Sequence, residues 1–261
     1  MHRRRRGSII VGMSGVTRSA ARCCGSPTAL AAALLVATLA GCGGSREDGP
    51  PAERRPSFSS QVAAVRGGTA TAIVAATPPG PDDWASVRGL GGLRELVLEN
   101  GGGDDRAAEI LATLPDLERL VLRRCPLTDA GFKSLSGCPR LRDLNVPQAA
   151  CTAAGVRSLA AVASLRSLRL GGETLAGPEV GEAVSELTGL RSLHLIDVPL
   201  GDRGLAAIGR LEGLWNLYLD GAGVSDEAWV EYFRACPGVH VHVDQAHHDR
   251  DPSRHDTRTG R

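Results

Sequence analysis

Lysine is almost missing from this sequence: Lys133 is the only one among 30 basic residues, so arginine carries nearly all the positive charge. That bias reads as the mark of a GC-rich genome rather than of a binding task. Aromatic residues number eight, and five of them lie after residue 214. No apolar run approaches the ~20 residues a bilayer-spanning helix needs; residues 29–40 form a 12-residue stretch, which is too short. Catalytic signatures are absent as well. Gly101, Gly102 and Gly103 are not followed by Lys-Ser or Lys-Thr, so they form no phosphate loop, and no serine sits in a nucleophile-elbow context.

What is present is a repeat. L-x-x-L-x-L recurs from Leu93, Leu117, Leu141, Leu165, Leu190 and Leu214, every 24 residues except for one extra residue near Pro178. With the first leucine as position 1, four further columns are apolar or small. Position 11 reads Gly103, Leu127, Cys151, Leu175, Leu200 and Val224. Position 16 reads Ala108, Phe132, Val156, Val180, Leu205 and Trp229. Position 19 runs from Leu111 to Tyr232, and position 22 from Leu114 to Ala235. Positions 4 and 6 alternate with polar neighbours, as a strand with one buried face requires. Positions 16, 19 and 22 keep helical spacing, so a short helical segment packs back over each strand. One unit buries too little apolar surface alone. Stacked units share a continuous core, with strands about 4.8 Å apart in a parallel ladder.

These units resemble leucine-rich repeats. Leu117, Leu120, Leu122, Cys125 and Leu127, followed by Thr128, Asp129, Ala130, Gly131 and Phe132, match the repeat closely, and residues 201–205 and 225–226 repeat its turn. The Cys-Pro pairs Cys138-Pro139 and Cys236-Pro237, with Cys125, are similar to the cysteine-containing, ribonuclease-inhibitor-like class typified by F-box-associated repeats. The resemblance implies an α/β leucine-rich repeat solenoid over residues 69–244, with a curved parallel sheet on the concave face and short helices on the convex face. One departure stands out: the usual Asn or Cys ladder at position 9 is replaced by Gly101, Cys125, Ala149, Glu173, Val198 and Ala222. The turns must then pair their buried backbone groups with water or with each other, which suggests looser convex turns.

End coils need caps. Residues 70–75 read as a degenerate first strand with Asp82, Asp83 and Trp84 in a turn, and residues 239–243 as a closing strand. Trp229 and Phe233 read as cap packing rather than a ligand box.

Residues 1–41 read as a lipoprotein signal peptide: Arg3 to Arg6, Arg18 and Arg22 precede the apolar stretch, and Leu39, Ala40, Gly41 and Cys42 close it. The ending resembles the bacterial lipobox and implies lipidation of Cys42, hence a membrane-anchored protein of the cell envelope, periplasmic or surface-facing; ordinary signal-peptidase cleavage is the alternative. The long basic lead also raises Met13 as the true start. Residues 42–68 read as a flexible tether and residues 245–261 as a disordered tail. Removing the six arginines of the signal leaves 24 basic against 29 acidic residues, a net charge of about −5. An acidic domain without a basic stripe is a poor nucleic-acid binder, so no nucleic-acid partner is expected.

Export would put Cys125, Cys138, Cys151 and Cys236 in an oxidising compartment. They fall mostly in core slots and read as buried single thiols. Cys138 and Cys236 lie too many coils apart to bridge, whereas Cys125 and Cys151 lie in adjacent coils and could just meet.

Function is sought where positions 3, 5 and 7 face solvent on the concave sheet. The central column reads Val97, Val121, Asn145, Arg169, His194, Tyr218 and His242; around it stand Glu95, Arg119, Asp143, Ser167, Ser192, Asn216 and His240, and Glu99, Arg123, Pro147, Gly171, Ile196, Asp220 and Asp244. Such a varied surface suits a protein or peptide partner, with Arg119, Arg123, Asp143, Asn145, Arg169, His194, Asn216, Tyr218, Asp220 and His242 as contact candidates and no catalytic role or cofactor. A second reading takes His240, His242 and Asp244, with His194 approaching, as a metal-binding or hydrolytic patch, because strand alternation puts all three on one face. A third is an intracellular F-box-like adaptor. Recurrence of Asp82, Asp83, Asp129, Asp202 and Asp226 at one turn position points to helix N-capping.

Overall fold

The computed structural model describes residues 56–251. The arginine-rich lead, the apolar stretch, Cys42, the start of the tether and residues 252–261 lie outside the described residues. None of the described helices is long and apolar enough to cross a membrane.

Strand and helix alternate eight times, and one strand follows. The strands are β1 (Ala72–Ala75), β2 (Glu95–Leu98), β3 (Arg119–Leu122), β4 (Asp143–Val146), β5 (Ser167–Gly171), β6 (Ser192–Ile196), β7 (Asn216–Leu219), β8 (His240–Val243) and β9 (Ala246–His247). The helices are α1 (Phe58–Arg66), α2 (Pro81–Val87), α3 (Asp105–Leu111), α4 (Asp129–Leu135), α5 (Ala153–Ser158), α6 (Pro178–Ser185), α7 (Gly201–Ile208) and α8 (Asp226–Ala235). Strands β1 to β8 form one parallel sheet in sequence order, and β9 adds antiparallel to β8. This is the α/β leucine-rich repeat solenoid that the resemblance implied, built of the stacked strand–helix units that the 24-residue period predicts.

Register follows the repeat number. Leu96 pairs Leu120, Leu144 pairs Leu168, and Leu193 pairs Leu217, so positions 4 and 6 stack as two leucine-rich ladders on the inner face. The helical columns close over them, with Phe132, Leu135, Val156, Val180, Leu205 and Ile208 all at most 1 % exposed. The apolar column at position 22 ends one coil early, because Ala235 is exposed and Cys236 beside it is half-buried.

The turns are tighter than the missing ladder suggested. Backbone satisfies backbone at several coils: Gly101 donates to the Arg123 carbonyl (3.0 Å), Ala149 to Gly171 (2.7 Å), and Leu200 and Gly201 both to Ala222 (3.0 Å). A second ladder runs along the helix starts. The Asp105 carboxylate accepts from the Thr128 backbone N–H (2.9 Å) and hydroxyl (2.5 Å); Asp129 does the same for Thr152 (2.7 and 2.8 Å), and Asp202 for Ser225 (2.8 and 2.9 Å). The expected N-capping role of the recurrent aspartates is therefore corrected. Thr128, Thr152 and Ser225 cap α4, α5 and α8, while Asp129 and Asp202 sit inside the first turns of α4 and α7 and reach to the next coil. Asp226 likewise lies inside α8, just after its cap. Asp83 alone of the five reaches its own helix's cap, accepting from the Gly80 N–H at 3.0 Å. The extra residue before Pro178 interrupts this ladder: Gly177, at φ 84°, precedes α6 and donates instead to the Pro199 carbonyl (2.8 Å).

Both ends depart from expectation. Asp82, Asp83 and Trp84 belong to helix α2, not a turn. Residues 58–66 of the expected tether form α1, whose Val62 and Val65 are buried against the first coil. Gln61 explains why the helix docks there. Its amide accepts from the Val74 N–H (2.8 Å) and donates to the Val74 carbonyl (3.0 Å), so one side chain takes the place of the strand missing from the edge of β1. At the far end, the expected disordered tail turns back at Asp244 and Gln245, both at positive φ (49° and 65°), as a two-residue hairpin between twisted strands requires. His248 then packs on Trp229 and Phe233, at 4.7 and 4.9 Å between ring centroids, which extends their cap packing.

Candidate functional site on the concave sheet

The central concave column is continuous in space. Val97, Val121, Asn145, Arg169, His194, Tyr218 and His242 are register partners from β2 to β8, and His247 of β9 follows opposite His242. Val121 is an exception to the expected exposure, since it is buried at 4 %. The column divides into a polar, arginine-flanked half and an aromatic half.

In the first half, Asn145 lies in a shallow depression also lined by Glu99, Arg123, Pro147, Arg169 and Ile196. Its Oδ1 is buried and has no hydrogen-bond partner. A buried amide oxygen left unpaired costs about 1–3 kcal/mol, which a donor brought by a ligand would recover. Arg123 and Arg169 are exposed and have no carboxylate partner among the described residues. Arg119 differs: its Nε meets Glu95 Oε1 at 3.0 Å, so part of its charge is already used across the sheet. Asp143 stands opposite Arg119 in register and is half-buried, as is Asn216 further along the same row.

The second half is a run of closely packed rings, stacked at Tyr218 and His242 and tilted on either side. His194 and Tyr218 are 5.4 Å apart between centroids, Tyr218 and His242 stack at 4.7 Å, and His242 and His247 lie at 4.1 Å. His194 Nε2 meets Asp220 Oδ2 at 2.9 Å, and Asp220 Oδ1 accepts from the Gln245 N–H at 3.2 Å. Burial holds the His242 ring below the ordinary imidazole range, helped by the neighbouring His247 and His240.

The expected set of His240, His242 and Asp244, with His194 approaching, is only partly assembled. Asp244 turns away at the hairpin, where its Oδ1 accepts from the Gly221 N–H (2.9 Å), and His194 is engaged by Asp220. The third imidazole is His247: donor atoms of His240, His242 and His247 all lie within 4.8 Å of one another. His240 Nδ1 meets Asp251 Oδ2 at 2.7 Å, and the side chain of Asp251 has no exposed surface. His247 and Asp251 fall in the segment read as a disordered tail. No sequence signal marked them: Asp244 and Gln245 make a two-residue turn at positive φ without a glycine, and the chain returns so that His247 faces His242.

The four described cysteines are free thiols. Burial pushes Cys138 and Cys151 up to about 12, and Asp129 adds to the effect at Cys151.

No protein-family model matches the chain, and no curated protein matches it. Solved structures do. An internalin from Listeria monocytogenes is similar at 19% identity and a TM-score of 0.36, covering 60% of this chain and 55% of its own. The leucine-rich repeat ectodomain of the Arabidopsis receptor kinase HAESA, solved with an N-terminally extended IDA peptide hormone, is similar at 17% identity and a TM-score of 0.36, covering 57% and 32%. The chain thus spans about half the length of the first and a third of the second.

Proposed function

We propose that this protein is a recognition module that binds a protein or peptide segment along its concave sheet, and that the segment is acidic where it crosses β3 to β5. The observation that carries this reading is the unpaired, buried Oδ1 of Asn145 between the exposed guanidinium groups of Arg123 and Arg169. A peptide N–H would complete the amide oxygen, and neighbouring carboxylates would pair with the two arginines in forked geometry. The His194, Tyr218 and His242 rings, packed against one another, offer an aromatic rim beside that polar centre.

Selection from a displayed peptide library tests this. Enriched sequences should carry Asp or Glu pairs, and Asn145→Leu or Arg169→Glu should weaken the best of them at least tenfold, whereas Arg203→Glu on the convex side leaves affinity unchanged. Enrichment of basic sequences, or equal loss from the convex change, would refute the reading.

The same proposal places the domain at a membrane surface. The basic lead, the apolar stretch of residues 29–40 and the Leu39, Ala40, Gly41, Cys42 ending stand in the order an exported lipoprotein requires. Intact mass of the membrane-extracted chain should correspond to a mature protein starting at an acylated Cys42. An unlipidated chain, or one in which Cys42→Ala leaves membrane retention unchanged, would remove the anchor from the account.

A further inference from the structure

The closing hairpin concentrates three imidazoles where the solenoid needs only a polar cap. His240 and His242 are two residues apart on β8 and so point to one face, and the turn at Asp244 and Gln245 brings His247 directly across from His242. Their rings lie 4.1 to 4.9 Å apart between centroids, in three different orientations. Two of them approach closely, with His240 Nε2 and His242 Nε2 at 2.9 Å.

We propose that His240, His242 and His247 bind a divalent transition-metal ion, zinc foremost, with Asp251 orienting His240 from behind and the fourth coordination position open to the concave face. Zinc is held by imidazole nitrogens at about 2.0–2.1 Å, which puts tetrahedral ligands roughly 3.3 Å from one another. The 2.9 Å pair needs only a small outward rotation to reach that spacing. The second observation is Asp251. It accepts from the Val241 backbone N–H (3.0 Å) and from His240 Nδ1 (2.7 Å), and it is the one buried charged residue of the described chain. A buried carboxylate on Nδ1 fixes the proton there and leaves the Nε2 lone pair facing the other two imidazoles. That is the carboxylate–histidine–metal relay by which proteins orient ligands. Packing of Tyr218 on His242 and of His248 on Trp229 fixes the strand and the returning chain from either side. Three protein nitrogens with an exposed His247 leave one position for water or for a partner's carboxylate or imidazole. Imidazole donors favour zinc, copper and nickel over magnesium or calcium.

Metal binding is measurable with no partner present, so the site stands or falls independently of the recognition reading. The full chain, produced without an affinity tag and freed of metal with a chelator, is titrated with Zn2+ against a chromophoric competitor and, separately, with Co2+ followed by visible absorption. The expected result is one equivalent bound, with the intense Co2+ bands of a four-coordinate site and a higher Tm at saturating Zn2+. His247→Ala, a change at an exposed residue, should abolish the Co2+ spectrum. Asp251→Asn should weaken Zn2+ about 10- to 100-fold, as loss of an orienting carboxylate does. Absence of stoichiometric binding, a weak six-coordinate Co2+ spectrum, or affinity indifferent to His247→Ala and Asp251→Asn in variants with wild-type circular dichroism would overturn the proposal.

Discussion

Replacing Asp129 with alanine should destabilise the protein far more than removal of a half-exposed surface carboxylate ordinarily does. Asp129 accepts three hydrogen bonds from the next coil: Thr152 N–H at 2.7 Å, Thr152 hydroxyl at 2.8 Å and Gly155 N–H at 3.0 Å. The last matters most. The third N–H of a helix has no partner within it, and the Thr152 hydroxyl already serves Ala154 at 3.2 Å. Asp129 therefore supplies the acceptor that α5 lacks, from the coil before it. Hydrogen bonds to a charged group contribute about 1.5–3 kcal/mol each. Thr152 is exposed and can return to water, which discounts two of the three, so the total loss should be about 2–3 kcal/mol. Asp105→Ala, which removes only the two bonds to Thr128, should cost about half as much. Urea unfolding followed by circular dichroism gives these differences, with Glu109→Ala as a helix-surface control. Hydrogen exchange should locate the change at residues 152–158, because in a solenoid each coil leans chiefly on its neighbours. A loss under about 0.5 kcal/mol, or one equal to that of Glu109→Ala, would show that the aspartate ladder does not hold the coils together.

Further consequences can be checked on the same protein. Gly155→Ala should lower stability by about 1–2 kcal/mol although alanine is the better helix former, because its Cβ would lie 2.5 Å from Asp129 Oδ1 and 3.0 Å from Cys151 Cβ; a gain in the urea midpoint would contradict this. The bonds from the Ser225 N–H and hydroxyl hold Asp202 below its ordinary value of 3.8. A depressed carboxylate stabilises the fold above its unfolded value and ceases to do so as pH falls through the folded one. The stability gap between the native chain and Asp202→Asn should therefore be constant near pH 6 and shrink below about pH 4, and a pH-independent gap would remove the assignment. Iodoacetamide at pH 8 should label half-buried Cys236 before Cys138 and Cys151, whose thiols stand at about 12, and peptide mapping that found all of them labelled equally in the native state would be inconsistent with their burial.

Much of this molecule was legible because a repeat states each instruction six times. The leucines of positions 4 and 6 fixed the strands and their inward face, and one period of 24 residues fixed the register that aligns Asn145, Arg169, His194, Tyr218 and His242. The misreadings fall where an instruction is given once or acts between coils. Asp129 and Asp202 recur like N-caps, but the recurrence alone does not reveal which coil the carboxylate serves. A hint was present in Gly131 and Gly155, where a Cβ would strike the carboxylates of Asp105 and Asp129. Gln61 and Asp251 sit in polar, Pro- or His-containing segments whose composition resembles linkers. They are ordered because each bonds the backbone of an end strand, Val74 or Val241, which no local pattern encodes. The ring cluster was half legible for the same reason. Alternation in β8 pairs His240 with His242, but His247 joins them only through the hairpin.

The most direct test of the central claim is hydrogen exchange on the full chain with and without its best selected acidic peptide. The account predicts slowed exchange confined to the strands around Asn145, Arg169 and Tyr218, with α3 to α8 unchanged. Protection on the convex helices with none along β4 to β7 would contradict it.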